Sequence, residues 1–408
     1  MGIGTSGMTA SAGSPRKVLI IVENLPVPFD RRVWQEATTL QQAGYVVSII
    51  CPKGKGYEID RETLQGVQIY RYHLPMEARG HLGFIFEYTW SLGAQFFLSF
   101  RALRERGFDA IHACNPPDDI FIIGGFFKLF GKRFLFDHHD INPELFEAKF
   151  GKRGFFYHVL VLLERLTFLI ADVSIATNES YRDIAIARGK MHPSKVFVVR
   201  SGPNLDRVRR VPPNPALKKG REYLVGYVGV MGEQEGIALL LRAASIIVHE
   251  KQRRDVHFGL VGAGTEFEAL RRYADELKLS DYVTFTGRVA DEPMLEMLST
   301  ADVCVNPDIA NEMNDKSTMN KIMEYMALGK PIVQFDLTEG RRSALDASLY
   351  AAKNDEKDLA EKILELLGDE RQRIAMGEFG RKRVERELQW TYEAPKLLAA
   401  YDALFSGD

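Results

Sequence analysis

Cysteine is scarce: three residues in 408 positions, Cys51, Cys114 and Cys304, lie far apart and in no Cys-x-x-Cys spacing. An odd, scattered set excludes a disulfide framework or a zinc knuckle and points to a reducing, cytoplasmic setting. Long apolar runs are missing too. No stretch of about eighteen uninterrupted apolar residues occurs, which argues against a membrane-spanning helix, and residues 1–15 lack the apolar core of a signal peptide. Nor is there an excess of one charge. With 53 basic and 55 acidic side chains the formal charge is -2, so no global field exists to wrap nucleic acid, and none is expected as a partner.

What is present is 46% apolar residues over a length too great for one ordinary core, so two domains are expected. Short β-branched runs at 17–22, 45–51, 67–72, 109–114, 133–137, 172–177 and 196–200 alternate with helical patterns. A Pro-, Arg- and Lys-rich passage interrupts them, and the alternation restarts at 223–229, 256–262, 282–286, 302–306 and 331–335. Such alternation predicts parallel sheets, giving an α/β fold of two Rossmann-like domains. The expected boundaries are a disordered tail at 1–15, a first domain at 16–203, a linker at 204–220 and a second domain at 221–387. Residues from 369 onward have no following strand and must pack on something already built; about 388–408 are expected to complete the first domain.

In open parallel sheets ligands lie beyond the carboxyl ends of the strands. Gly229 and Gly232 sit between a strand and a helix, and Gly262 and Gly264 repeat the arrangement after the next strand. Two such loops in one domain favour a nucleoside diphosphate held by backbone N–H groups and helix N-termini. Residues 311–333 carry Asn314, Asp315 and Ser317 as N-cap types ahead of a helix, on which Ser317, Lys321 and Glu324 are expected to share one face. A lysine near a helix N-terminus opposes the helix dipole and suggests a bound anion, while Glu324, a turn deeper, could accept hydrogen bonds from ribose hydroxyls.

The segment Glu324-Tyr-Met-Ala-Leu-Gly329-Lys330-Pro331-Ile-Val resembles the E-A-M-A-x-G-x-P-V motif of the retaining glycosyltransferases of family four, the group 1 glycosyl transferases, which have the GT-B fold. The resemblance runs along nearly the whole chain. It includes Phe29-Asp-Arg-Arg-Val-Trp-Gln-Glu36, Asp109-Ala-Ile-His112-Ala, Phe136-Asp-His-His139-Asp140, Ala171-Asp-Val-Ser-Ile-Ala, Gly202-Pro-Asn204-Leu-Asp206 and Val283-Thr-Phe-Thr-Gly287-Arg288-Val289. It implies two domains facing across a cleft, a C-terminal crossover helix, a nucleotide sugar in the second domain and an acceptor in the first. Three positions depart from the family pattern. Lys316 stands where the first glutamate of the Glu-x7-Glu pair is expected, Val230 and Glu235 replace the Arg and Lys that grip the diphosphate, and Asp30-Arg31-Arg32 replaces a Gly-Gly loop.

The resemblance implies transfer of a hexose-type sugar from a nucleoside-diphosphate sugar to a glycan or lipid-linked acceptor, with retained configuration and without metal or other cofactor, in polysaccharide or glycolipid biosynthesis. The catalytic candidates are His139, Lys316 and Lys321. Donor-site candidates are Gly229, Gly232, Gly262, Gly264, Gly287, Arg288, Ser317, Thr318 and Glu324, and acceptor-site candidates are Arg31, Arg32, His112, Asn115 and Asp140. Positive charge is expected to have moved to Lys316, Lys321 and Arg31 or Arg32. A nucleotide-sugar epimerase of the same fold and a non-catalytic nucleotide-sugar-binding protein are the alternatives.

One asymmetry remains. Of 25 phenylalanines, 19 precede residue 201 and 17 fall between Phe84 and Phe168, interleaved with Lys128, Lys132, Arg133, Lys149, Lys152 and Arg153. Mixed aromatic and basic segments suit a lipid interface, so a peripheral contact of the first domain with the inner face of the membrane is expected.

Overall fold

The computed structural model describes residues 14–74 and 80–406. Residues 1–13, most of the expected tail, lie outside the described part.

Eight strands form the first sheet: β1 (Lys17–Ile21), β2 (Val46–Pro52), β3 (Arg61–Leu64), β4 (Val67–Tyr72), β5 (Ala110–Cys114), β6 (Arg133–His138), β7 (Val173–Ala176) and β8 (Val196–Val198). Their order is β3-β4-β2-β1-β5-β6-β7-β8, parallel throughout except for the β3–β4 hairpin. Every residue of β5 is buried, as a central parallel strand covered on both faces requires. The second sheet has β9 (Tyr223–Val228), β10 (Val256–Val261), β11 (Val283–Gly287), β12 (Val303–Asn306), β13 (Ile332–Phe335) and β14 (Ser348–Ala351), in the order β11-β10-β9-β12-β13-β14 and all parallel. Strands β3 and β14 were not anticipated. Both are short edge strands; β3 alternates exposed and half-buried residues and lacks a β-branched run.

Helices follow local signals. In Arg31–Gln42 the Asp30 carboxylate caps the Val33 N–H at 3.1 Å, and Val33, Glu36, Ala37 and Leu40 form the buried stripe. The helix Trp390–Phe405 packs on β6, β7, β8 and Arg31–Gln42. Tyr401 is buried in that contact, and Trp390 Nε1 donates to Thr39 Oγ1 at 2.9 Å. The chain thus ends on the first sheet. No helix among the described residues is long and apolar enough to cross a membrane.

Strand order reverses between β1 and β5 in the first sheet and between β9 and β12 in the second. These two switch points face each other, and the segments following β6, β9 and β12 line one cavity between the domains. Direct contacts hold the domains together beside it. Asn178 Nδ2 donates to Lys316 O (2.8 Å) and Thr318 Oγ1 (3.0 Å), Tyr181 Oη lies 3.0 Å from Ser317 Oγ, and Ser180 Oγ donates to Glu339 at 2.7 Å.

Candidate active site

The interdomain cavity has a volume of about 820 Å³. From the first domain Arg32, His139, Asp140, Tyr181 and Ser201 line it; from the second come Val230, Gly232, Glu235, Thr265, Asp308, Ser317, Thr318 and Lys321.

The second-domain wall carries one cation, Lys321, among glycine loops and polar side chains. Two glycines permit close approach of its loops: a Cβ on Gly262 would lie 1.8 Å from Gly229 O, and one on Gly264 would lie 2.4 Å from Met231 O. Gly232 N donates to Glu235 Oε2 at 3.1 Å, closing a turn before the helix Ile237–Ser245. Lys321, in the first turn of Asn320–Ala327, extends its Nζ to Asp308 Oδ1 at 2.6 Å and lies 5.2 Å from the Tyr227 ring centroid. Burial alone would push the Lys321 pKa down, but Asp308 and Tyr227 override it and hold the ammonium charged. Burial also raises the Glu235 carboxyl, a shift that Lys321 opposes, which favours the neutral form at a place where a second anion would repel a phosphate.

The first-domain wall is a buried ionic hub. Arg32 Nη2 meets Asp137 Oδ1 at 3.0 Å and Glu36 Oε1 at 3.1 Å, and Arg32 Nη1 donates to Val199 O at 2.9 Å. His139 Nε2 lies 2.6 Å from Asp137 Oδ2 and 2.9 Å from Arg32 Nε. Burial would raise the Asp137 pKa, yet Arg32 and His139 hold it well below the usual carboxylate range. Two sets of metal-ligand types meet here, His112 with Cys114 and Asp137, and Glu36 with Asp137 and His139. The Arg32 guanidinium already pairs with the carboxylates that these sets would offer a cation.

Several expected site residues are placed otherwise. His112 is fully buried, 2.8 Å from Tyr401 Oη and 3.3 Å from Asp137, so it ties the C-terminal helix to the hub and does not line the cavity. Asn115 is buried as well: its Nδ2 donates to Asp118 (2.9 Å) and Asp140 O (2.6 Å), and its Oδ1 accepts from His139 N (2.7 Å), fixing the His139–Asp140 turn. Lys316 does not line the cavity; its Nζ pairs with Glu312 at 2.6 Å and lies 3.8 Å from Glu144. Ser317, Lys321 and Glu324 do not share one helix either. Asn311 caps a short helix Glu312–Lys316, the chain extends through Ser317, and a second helix starts at Asn320. Ser317 and Thr318 still line the cavity, from the segment between the helices. Arg31 reaches across to Asp291 at 2.7 Å, and the Arg288 guanidinium stacks 4.0 Å over Phe29, both bridging the domains. Gly287 ends β11 directly before Arg288.

The sequence reading missed Asp308, Asp137, Arg207 and Gln234. Asp308 lies two residues past β12, where strand-end logic pointed, and Asp137 directly precedes the His138–His139 pair. Arg207, inside the expected linker, gives Nη2 to Glu324 Oε1 at 2.5 Å. Gln234 accepts from Asn311 Nδ2 at 2.7 Å and Asn314 Nδ2 at 2.9 Å, clamping the loop after β9 to the loop after β12.

Residues 222–369 match the model of the family described as glycosyl transferases group 1, and residues 30–202 match that of the glycosyl transferase 4-like domain. The chain belongs to the group 1 glycosyltransferases. Among curated proteins it is 27% identical over 249 residues to the capsular polysaccharide biosynthesis glycosyltransferase CapM of Staphylococcus aureus, covering 58% of this chain and 63% of that protein. A D-inositol 3-phosphate glycosyltransferase of Corynebacterium jeikeium matches at 29% over 192 residues, 45% of this chain and 44% of its own length. The matched stretch thus spans about half the length of these relatives. Among solved structures, sucrose-phosphate synthase from Thermosynechococcus elongatus superposes with a TM-score of 0.78 at 19% identity, covering 96% of this chain and 100% of that one. This likeness confirms the GT-B fold. In this group 1 glycosyltransferase the cleft therefore carries Lys321 from the second domain and the Arg32–Asp137–His139 hub from the first.

Proposed function

We propose that the chain is a retaining glycosyltransferase that moves a hexose-type sugar from a nucleoside-diphosphate sugar to a glycan or lipid-linked acceptor, in polysaccharide or glycolipid biosynthesis. The observation that carries this reading is the charged Lys321, set among glycine loops at the second sheet's switch point and facing His139 across the cavity. The Lys321 ammonium would stabilise the departing diphosphate. The anomeric carbon–oxygen bond to the diphosphate breaks, the acceptor oxygen bonds to that carbon on the same face, and the acceptor proton passes to the leaving phosphate oxygen. His139 and Asp140 orient sugar and acceptor, so the protein acts by positioning and electrostatics without a metal.

One solved structure supports the donor class. HepE from Anabaena, solved in complex with UDP-glucose, aligns over 95% of this chain with a TM-score of 0.71 at 14% identity. For the acceptor side, the surface is informative. Phe108, Phe127, Phe134, Phe136 and Phe168 are buried, but Phe97, Leu129, Phe130, Phe155 and Leu169 are each more than 60% exposed. With Lys152 three residues before Phe155, these residues suit peripheral attachment to the cytoplasmic face of a membrane. The test is a screen of UDP-, GDP-, ADP- and dTDP-sugars for nucleotide release with and without lipid acceptor. Release that depends on acceptor is expected; release of no nucleotide from any donor would overturn the reading.

A further inference from the structure

A second cavity, of about 350 Å³, lies within the first domain, outside the interdomain cleft. Its walls are apolar: Leu145 and Phe146 from the helix Asn142–Phe150, Phe156, Leu160 and Leu163 from Phe155–Ile170, closed by Tyr88. Its size and lining match sites that hold small apolar ligands. It also meets the interdomain cavity. Leu145 and Lys149 are wall residues of both, so an elongated occupant of the apolar cavity reaches the cleft along the same helix. Two polar wall groups are spoken for, since Asn142 Nδ2 donates to Asp118 Oδ2 at 2.8 Å. Asp119 Oδ1, by contrast, is buried without a hydrogen-bond partner. An occupant with a single hydroxyl or amide donor would satisfy it.

We propose that this cavity binds the aliphatic chain of an amphipathic acceptor, whose polar head enters the cleft past Leu145 and Lys149. The proposal rests on the transferase reading and narrows its acceptor to one carrying a hydrocarbon chain. Two features favour a chain over a protein partner. A helix with side chains is roughly 10–12 Å across, too wide for a void of this size. The neighbouring surface also carries exposed Phe150 and Phe155 next to Lys152, so a chain drawn from a lipid surface has an apolar path into the cavity.

The experiment uses dansylundecanoic acid as the probe on the full chain. Wild type is expected to give a saturable fluorescence rise, and Leu160→Trp, which fills the void, is expected to weaken binding at least tenfold. Val159→Trp fills the same space from the neighbouring position and serves should Leu160→Trp fail to fold. In both, affinity for the donor found in the screen should stay at the wild-type level, while release that depends on the lipid acceptor should fall. No saturable rise with wild type, or equal probe affinity in folded filled variants, overturns the proposal while leaving the transferase reading intact. Loss of nucleotide release by wild type itself would instead remove that reading.

Discussion

The two walls of the cleft handle charge in opposite ways. On the first-domain side Arg32, Glu36, Asp137 and His112 are buried together with His139 half-buried at their edge, and Arg32 lies within 3.1 Å of carboxylates on two of them. On the second-domain side a single ammonium, Lys321, is paired with Asp308 on a wall that also carries Glu233, Glu235 and Glu266 and loops brought close together by glycine. A hub whose charges are spent on each other positions His139 and resists change. A wall whose single cation lines the cavity can give that charge to a ligand. Asp137 should therefore matter most for stability and Lys321 most for turnover, a division that single substitutions can break.

The largest effect is expected for Asp137→Asn. It leaves Glu36 as the one carboxylate beside the Arg32 guanidinium and puts an NH2 group in place of one of the two oxygens that Arg32, His139 and His112 share, a loss of about 3–5 kcal/mol for a broken buried pair. Because the folded-state pKa of Asp137 is depressed, its contribution is fully present above about pH 3.8 and is lost as the pH falls through the folded value. Thermal melts at pH 7 should show a large fall in Tm. An unchanged Tm would mean that the hub is not structural.

Next comes Lys321→Ala, for which kcat/KM should fall by about 10²–10³, the usual consequence of removing one preorganised charge donor. Asp308 loses its partner but, buried, can take up a proton, so the fold should survive better than in Asp137→Asn. If Lys321→Ala melts far below wild type yet transfers sugar normally, the contrast between the walls is reversed.

Much of this division was legible in the sequence. Strand runs fell within a residue or two of β1, β2 and β4–β13, because buried parallel strands are dense in β-branched residues. The glycine loops and His139 were legible because each stands directly after a strand, at its carboxyl end. The hub was not, since an Asp137 or a Glu36 on an amphipathic pattern looks like any other polar residue until a distant arginine is folded against it. Lys316 misled for a related reason. Its position in the family motif put it beside the diphosphate, but the break at Ser317–Met319 separates Glu312–Lys316 from the helix that carries Lys321.

A third prediction concerns the first domain's other buried carboxylates. Burial raises Glu23 from 4.5 to about 7, opposed only in part by its hydrogen bond from Ser91. A raised carboxyl binds its proton more tightly in the folded state, so stability declines as the pH rises from 4.5 to about 7 and is constant above. Glu23→Gln should remove that decline: its Tm should match wild type near pH 4.5 and exceed it by several degrees at pH 8. A gap that widens toward low pH instead would refute the assignment.

The smallest effect should come from Lys316→Ala. Its partner Glu312 is 43% exposed, and such pairs contribute about 0–1 kcal/mol. Its Nζ is also 3.8 Å from Glu144, which Arg188 already binds at 2.7 Å, so no buried carboxylate is left bare. What Lys316 gives the domain contact is its carbonyl, which accepts from Asn178 and survives any side-chain change. Transfer and nucleotide affinity in Lys316→Ala should stay within about twofold of wild type. A loss comparable to that of Lys321→Ala would mean that the cleft closes further on its donor, bringing Lys316 to the diphosphate, and that the second-domain wall carries two working cations.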